Sequence, residues 1–179
     1  MAGVRLVLAT RNAGKVAEFQ TALHDLGLTI LSLKDFPACP DAAEDGDTFA
    51  ANALIKARAA FTCTGLPSLA DDSGLEVDAL GGAPGVHSHR FAGPAEDDAA
   101  NNAKLLALLA AVPEEQRTAR FRAVLALVWG PGREITVEGT CPGRILTAAR
   151  GAGGFGYDPL FYLPERGLTL AELPVAEKN

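Results

Sequence analysis

The sequence predicts an α/β fold, a mixed sheet with flanking helices, and three observations carry that expectation. Residues 4–9 are a short run of branched and small apolar side chains, which suits a buried strand. A helical period follows at once in Val16, Phe19, Leu23 and Leu26, so strand and helix alternate from the start. Residues 119–129 and 134–140 are two strand-like runs divided only by Gly130-Pro131-Gly132, a hairpin break that adds antiparallel strands.

The elements between these anchors follow in order. Gly27 ends the first helix, and residues 29–33 predict a second strand. A loop rich in Pro and Asp runs to Asp47, after which Thr48 can cap a helix over 49–61. Asn52 and Lys56 are four apart and therefore share one face of it. Residues 66–70 predict a strand that gives way to a turn at Asp71-Asp72-Ser73-Gly74, and residues 75–80 a short extended or helical piece before Gly81-Gly82-Ala83-Pro84-Gly85. A long helix is expected over 98–112, stopped by Pro113. After the hairpin come a glycine-rich loop over 151–157, a short strand over 160–163, and Thr169-Leu170-Ala171-Glu172 as a capping box that starts a final helix.

Composition limits the function classes. With 179 residues, 48% hydrophobic and 21% charged, the chain reads as one globular unit. Lys plus Arg number 16 against 22 Asp plus Glu, a net charge of −6, which disfavours sequence-independent nucleic-acid binding. It also means that a polyphosphate ligand needs local cations or a metal to offset repulsion. The longest clearly apolar run, residues 105–112, falls short of the roughly 20 residues that span a bilayer, so no membrane partner is expected. The N-terminal apolar stretch runs straight into Arg11 and Lys15 with no cleavage pattern, which points to a cytoplasmic protein. Its three cysteines, Cys39, Cys63 and Cys141, are widely spaced and are expected to be reduced, non-catalytic thiols.

Three segments could carry chemistry. Thr10-Arg11-Asn12-Ala13-Gly14-Lys15 sits where a strand ends and a helix begins, a place where free backbone N–H groups and the helix dipole favour a phosphate. The same residues also make an ordinary capped turn. Asp71-Asp72-Ser73-Gly74 follows an apolar strand, and adjacent carboxylates there could hold Mg²⁺ or accept a proton from water, although the tetrapeptide is equally good turn chemistry. Glu44, Asp45 and Asp47 could add a ligand. In Gly153-Gly154-Phe155-Gly156-Tyr157-Asp158, the glycines clear space around two aromatics that could stack on a planar base, or the aromatics simply return to the core. His87 and His89 lack a third nitrogen or sulfur ligand for zinc.

Taken in order, these pieces resemble the inosine triphosphate pyrophosphatase family, hydrolases of non-canonical purine nucleotides. The matching segments are Ala9-Thr10-Arg11-Asn12-Ala13-Gly14-Lys15, Asp47-Thr48-Phe49 with Asn52-Ala53 and Lys56-Ala57, and Ala70-Asp71-Asp72-Ser73-Gly74-Leu75. They continue with Gly81-Gly82-Ala83-Pro84-Gly85, Gly153-Gly154-Phe155-Gly156-Tyr157-Asp158-Pro159, and Ala171-Glu172-Leu173 with Glu177-Lys178.

The resemblance implies an elongated, two-lobed single domain over 1–179 with a central cleft, assembled as a homodimer. It implies Mg²⁺-dependent cleavage of ITP, dITP and XTP between the α and β phosphates, releasing a nucleoside monophosphate and pyrophosphate. Carried onto this sequence, Thr10, Arg11, Asn12, Ala13, Gly14, Lys15 and Lys56 hold the substrate's triphosphate, Asn52 binds substrate, Asp72 is proton acceptor and metal ligand, and Ser73 touches substrate. Phe155, Gly156, Tyr157, Asp158 and Lys178 shape the base end. The second metal ligand is expected to be Glu44, with Asp45 as runner-up, because this chain has Ala43-Glu44-Asp45-Gly46 where members often pair two acids. The family continues past Glu-Lys-Asn with an Ile-Ser-His-Arg segment and a closing helix, so the chain is expected to lack its C-terminal end. The alternatives are a Maf-like pyrophosphatase of other modified nucleotides and an inactive nucleotide-binding protein.

Overall fold

Strand β1 (Arg5–Leu8) places three consecutive buried residues, Leu6, Val7 and Leu8, in the interior, as expected of a strand covered on both faces. This computed structural model describes residues 3–178. The order continues with α1 (Ala13–Ala22), β2 (Thr29–Ser32), α2 (Phe49–Thr64), β3 (Ser68–Val77) and α3 (Asp98–Leu108). A long hairpin of β4 (Thr118–Gly130) and β5 (Arg133–Ile145) precedes β6 (Phe161–Leu163), β7 (Leu168–Thr169) and a single turn of helix, α4 (Val175–Lys178). The strands hydrogen-bond in the order β2-β1-β3-β4-β5-β6-β7. β1 is parallel to β2 and to β3, with Val7 opposite Leu31 and Ser68, whereas β6 is antiparallel to both β5 and β7. The mixed sheet expected from sequence is therefore present.

The chain divides into two compact units. The first comprises residues 1–72 and 123–138, the second residues 73–122 and 139–179, and β3, β4 and β5 each have residues in both. In the first unit Val7, Leu33, Cys39 and Ala60 form a buried cluster that receives Leu31, Phe36 and Leu66. In the second, Leu75, Val77, Leu105, Leu109, Ile145, Leu160 and Phe161 pack together, and the rings of Phe121 and Phe161 lie 4.6 Å apart. Each large apolar side chain buried there contributes about 1.5–3 kcal/mol of transfer free energy. Arg117 is buried in this second core without a carboxylate. It is accommodated because its guanidinium donates to the carbonyls of Val112, Leu109 and Leu146 at 2.9, 2.7 and 3.2 Å.

Several expectations need correction. β3 does not end before Asp71-Asp72-Ser73-Gly74 but runs through it, because ladder pairing outweighs the turn preference of those residues. Thr169 begins no helix: it lies in β7, its Oγ1 donates to Arg150 O at 2.8 Å, and only the Glu172 half of the capping box forms, accepting Thr169 N–H. α3 ends four residues earlier than its apolar period suggests. Cys39 and Cys63 are not thiols but a disulfide with Cα atoms 5.8 Å apart, leaving Cys141 free and exposed. A separation of 24 residues carries no pairing signal, so packing of α2 against the segment after β2 is what brings them together.

Candidate functional site

The first unit assembles its polar residues around α2. Thr48 opens that helix, its Oγ1 accepting Ala51 N–H at 3.1 Å, and this start sets Asn52 and Lys56 on one face. Asn52 is buried, and its Oδ1 accepts the Gly46 N–H at 2.8 Å, anchoring the far end of the acidic loop. A Cβ at Gly46 would lie 2.8 Å from that same oxygen, so the approach requires glycine.

Lys56 Nζ then stands 3.5 Å from Asp72 Oδ1 and 3.6 Å from Glu44 Oε2. Glu44, and not Asp45, is the carboxylate that this lysine meets. Asp72 is buried, and its Oδ2 has no hydrogen-bond partner among the described residues. Burial pushes its carboxyl above the ordinary aspartate range, the Lys56 charge opposes that rise, Glu44 adds to it, and hydrogen bonds from Asn52 and Lys56 oppose it.

Asp71 and Asp72 do not act as a pair. Neighbours on a strand face opposite ways, so Asp71 Oδ2 meets Lys15 Nζ at 2.7 Å while Asp72 meets Lys56. Glu44 and Asp72 share the Lys56 ammonium. An orphaned, buried carboxylate oxygen beside a second carboxylate fits Mg²⁺, which takes one or two protein carboxylates and completes its shell with water and phosphate oxygens. Among the described residues no three or more His, Cys, Asp or Glu gather as a metal cage, and His87 and His89 lie on a short 3₁₀ turn. The donor set therefore suits a Mg²⁺ shared with phosphate and does not suit zinc.

The segment from Thr10 to Lys15 is the strand-to-helix junction foreseen. Asn12 Oδ1 caps α1, accepting from Gly14 N and Lys15 N at 2.9 and 3.2 Å, and Asn12 N donates to Thr10 Oγ1 at 3.1 Å. Three of the segment's amides are thus already bonded within the turn. Ala13 is exposed on the first turn of α1. Arg11 faces the segment after β2: its Nε donates to Asp41 Oδ1 at 3.0 Å, Nη1 to Leu33 O at 2.6 Å and Nη2 to Cys39 O at 2.5 Å. A cavity of about 230 Å³ opens here, lined by Thr10, Arg11, Asp41, Glu44, Lys56 and Ala60 among others.

In the second unit Ser73 is half-buried on β3, and the glycine-rich loop is held from several sides. Gly156 N donates to Asp98 Oδ2 and Gly156 O accepts from Asn102 Nδ2, both at 2.9 Å. Tyr157 is buried with its hydroxyl on Ser88 O at 2.7 Å, and burial pushes its phenol well above the usual range, with the Asp98 charge adding to the rise. Asp158 Oδ2 accepts Phe155 N–H at 3.0 Å and pairs with Lys178, whose Nζ lies 4.3 Å above the Phe155 ring. Phe155 itself is 67% exposed, an aromatic face held out by its neighbours and free to stack. Phe155, Asp158 and Lys178 are thus brought together as expected. Sequence reasoning missed Asp98, Asn102 and Ser88; the only signal was that Asp98 and Asn102 are four apart near the start of a helix.

The chain is similar to proteins already known. A profile of the Ham1 family matches residues 6–179. The chain is 57% identical over 176 residues to a dITP/XTP pyrophosphatase of Desulforamulus reducens, covering 98% of this chain and 88% of that protein. It is 56% identical over 175 residues to a dITP/XTP pyrophosphatase of Geobacter sulfurreducens, with the same coverage. Among solved structures, a HAM1 protein from Coxiella burnetii superposes with a TM-score of 0.93 at 44% identity, covering 98% of this chain and 90% of its own. The Staphylococcus aureus Ham1 protein gives 0.90 at 37% identity, with coverage of 97% and 88%. The resemblance read from the motifs is borne out, and the chain belongs to the Ham1 family.

Proposed function

We propose that this protein is a Mg²⁺-dependent pyrophosphatase of non-canonical purine nucleoside triphosphates, converting dITP, XTP and ITP to the monophosphate and pyrophosphate. The observation that carries the reading is the buried, unpartnered Asp72 Oδ2 beside Lys56 and Glu44. The names of the relatives supply the substrate class, and neither the Maf-like alternative nor an inactive binder gains support from them.

Glu44 and Asp72 are the residues that would hold the metal, which when bound supplies positive charge against the phosphate oxygens. The Lys56 ammonium supplies a second positive charge at the same carboxylates, and offsets the repulsion that a chain of net charge −6 imposes on a triphosphate. Asp72 Oδ2 accepts the proton of the attacking water. A carboxylate that burial makes more basic than usual does this better than an exposed one, and its unused lone pairs leave room for that proton. No nucleophilic side chain is needed: the phosphoanhydride is opened by water, and the leaving pyrophosphate departs as an anion. The exposed Phe155 ring, with Lys178 over it, is the stacking surface that this reading assigns to a purine. A cytoplasmic location and a homodimer belong to the same reading. Among the described residues no helix is long and apolar enough to cross a membrane.

The test is pyrophosphate release from ITP, dITP, XTP, GTP and ATP, each with Mg²⁺ and with EDTA. Metal-dependent release from the first three, with GTP and ATP slow, is the expected result. Equal rates on all five would remove the base selectivity, and no release from any would remove the enzyme reading.

A further inference from the structure

We infer that Arg11 is a positioning residue for the Glu44 loop and not a ligand of the triphosphate. The inference rests on the reading of Glu44 as a Mg²⁺ ligand.

Arg11 leaves the end of β1 and turns toward the segment that follows β2. All three guanidinium nitrogens donate to that segment, at Asp41 Oδ1, Leu33 O and Cys39 O. Two of these acceptors are main-chain carbonyls, so the contact grips the backbone itself. A planar fork sets its donors on separate nitrogens in fixed directions and so spans acceptors spread along a segment, whereas an ammonium gathers its donors on one nitrogen at the end of a flexible stem. Cys39 is held a second time, through its disulfide to Cys63 on α2.

The consequence falls on Glu44, which lies five residues beyond Cys39. Among the described residues its carboxylate meets only the Lys56 ammonium, at 3.6 Å, a distance too long to fix a side chain. Glu44 is therefore suspended between two backbone anchors. Arg11 and the disulfide hold the loop before it, and the Gly46 N–H on buried Asn52 holds it after. Releasing the first anchor frees the loop to move the carboxylate away from Asp72 without disturbing Asp72, Lys56 or α2.

Two readouts on wild type, Arg11→Met and Arg11→Lys test this: hydrogen exchange of the metal-free protein, and kinetics on ITP across a Mg²⁺ titration. The positioning role predicts that amides of residues 36–45 exchange roughly 10-fold faster in both variants, the loss of a few net hydrogen bonds, while those of β1 and α2 keep their rates. It predicts that half-maximal activation needs several-fold more Mg²⁺, and that KM for ITP at saturating Mg²⁺ changes less than about twofold. Arg11→Lys keeps the charge but gathers its donors on one nitrogen, so it should fail as Arg11→Met does. Should the Met variant not fold, the Lys variant decides alone. Unchanged exchange, or a large rise in KM that Lys rescues, overturns the proposal and returns Arg11 to the phosphates. If the wild type does not turn over ITP, the nucleotide reading falls, and the exchange data still decide whether Arg11 holds the loop.

Discussion

Lys56 Nζ stands 3.5 Å from Asp72 Oδ1, while the other oxygen of that carboxylate is buried and has no partner among the described residues. One side chain thus carries a face paired with a cation and an open face for chemistry. The lysine comes from a helix and the aspartate from a strand interior, both stiff elements, which suits a site that must hold its geometry.

Asp72→Asn should lower kcat on ITP by roughly 10²–10⁴-fold, the usual contribution of a positioned general base. Burial is the largest influence on this group and disfavours its charge, so in EDTA the variant's thermal midpoint should equal or exceed that of the wild type. The sign with pH follows. A carboxyl whose folded pKa lies above its unfolded 3.8 contributes stability that is complete below 3.8 and is lost as pH rises through the folded value. Metal-free wild type should therefore lose stability over that window relative to Asp72→Asn, as thermal denaturation at a series of pH values would show. A variant that melts well below wild type at every pH would contradict this account.

Lys56→Met should shift the acid limb of kcat/KM upward, because it removes the charge that holds the Asp72 carboxyl down and leaves Glu44 facing it. The rate at neutral pH should fall by roughly 10²-fold or more, as expected when a charge-stabilising group is lost. The pH profile is the deciding measurement, since simple loss of folding would scale the rate without moving the limb.

The disulfide can be counted directly. Iodoacetamide under native, non-reducing conditions should label one cysteine per chain, Cys141, and after reduction and denaturation all three. Closing a loop of this length stabilises by about 3 kcal/mol in the chain-entropy treatment, so Cys63→Ser should lower the denaturation midpoint accordingly. In a reducing compartment the bond is expected to open, and three labels on protein quenched directly from cells would show it.

Gly154→Ala should disable the base-side loop. Gly154 has φ of 72°, and a Cβ there would lie 2.1 Å from Asp158 Oδ2, the atom that binds Phe155 N–H and Lys178. The carboxylate must move, and Phe155 loses both its backbone anchor and the cation above its ring. KM for ITP should rise by roughly 10-fold or more while the Mg²⁺ requirement stays unchanged, a split that steady-state kinetics will resolve.

The fold was largely legible because its signals are local. Branched apolar runs marked β1 and β2, Thr48 marked the start of α2, and Gly65 sits in the left-handed conformation that closes it; α1, by contrast, stops at Ala22, short of Gly27, which closes only a 3₁₀ turn at His24–Leu26. The misreadings at Asp71-Asp72-Ser73-Gly74 and at Thr169 share one cause. Their turn and cap chemistry is real, but pairing with neighbouring strands decided the backbone, and that pairing is not encoded in the four residues themselves.

The sequence by itself determined the elements and the inventory: a mixed α/β sheet, a strand-to-helix junction at Asn12, a helix face carrying Asn52 and Lys56, and an aromatic loop rich in glycine. Only the tertiary structure decided partnership. It gave Asp71 to Lys15 and Asp72 to Lys56, set Glu44 beside the same lysine, turned Arg11 onto Leu33 and Cys39, and joined Cys39 to Cys63. The reason is one of range. Propensity and capping act over about four residues along the chain, whereas a carboxylate's charge state and a guanidinium's acceptors depend on which distant segments packing presses against them.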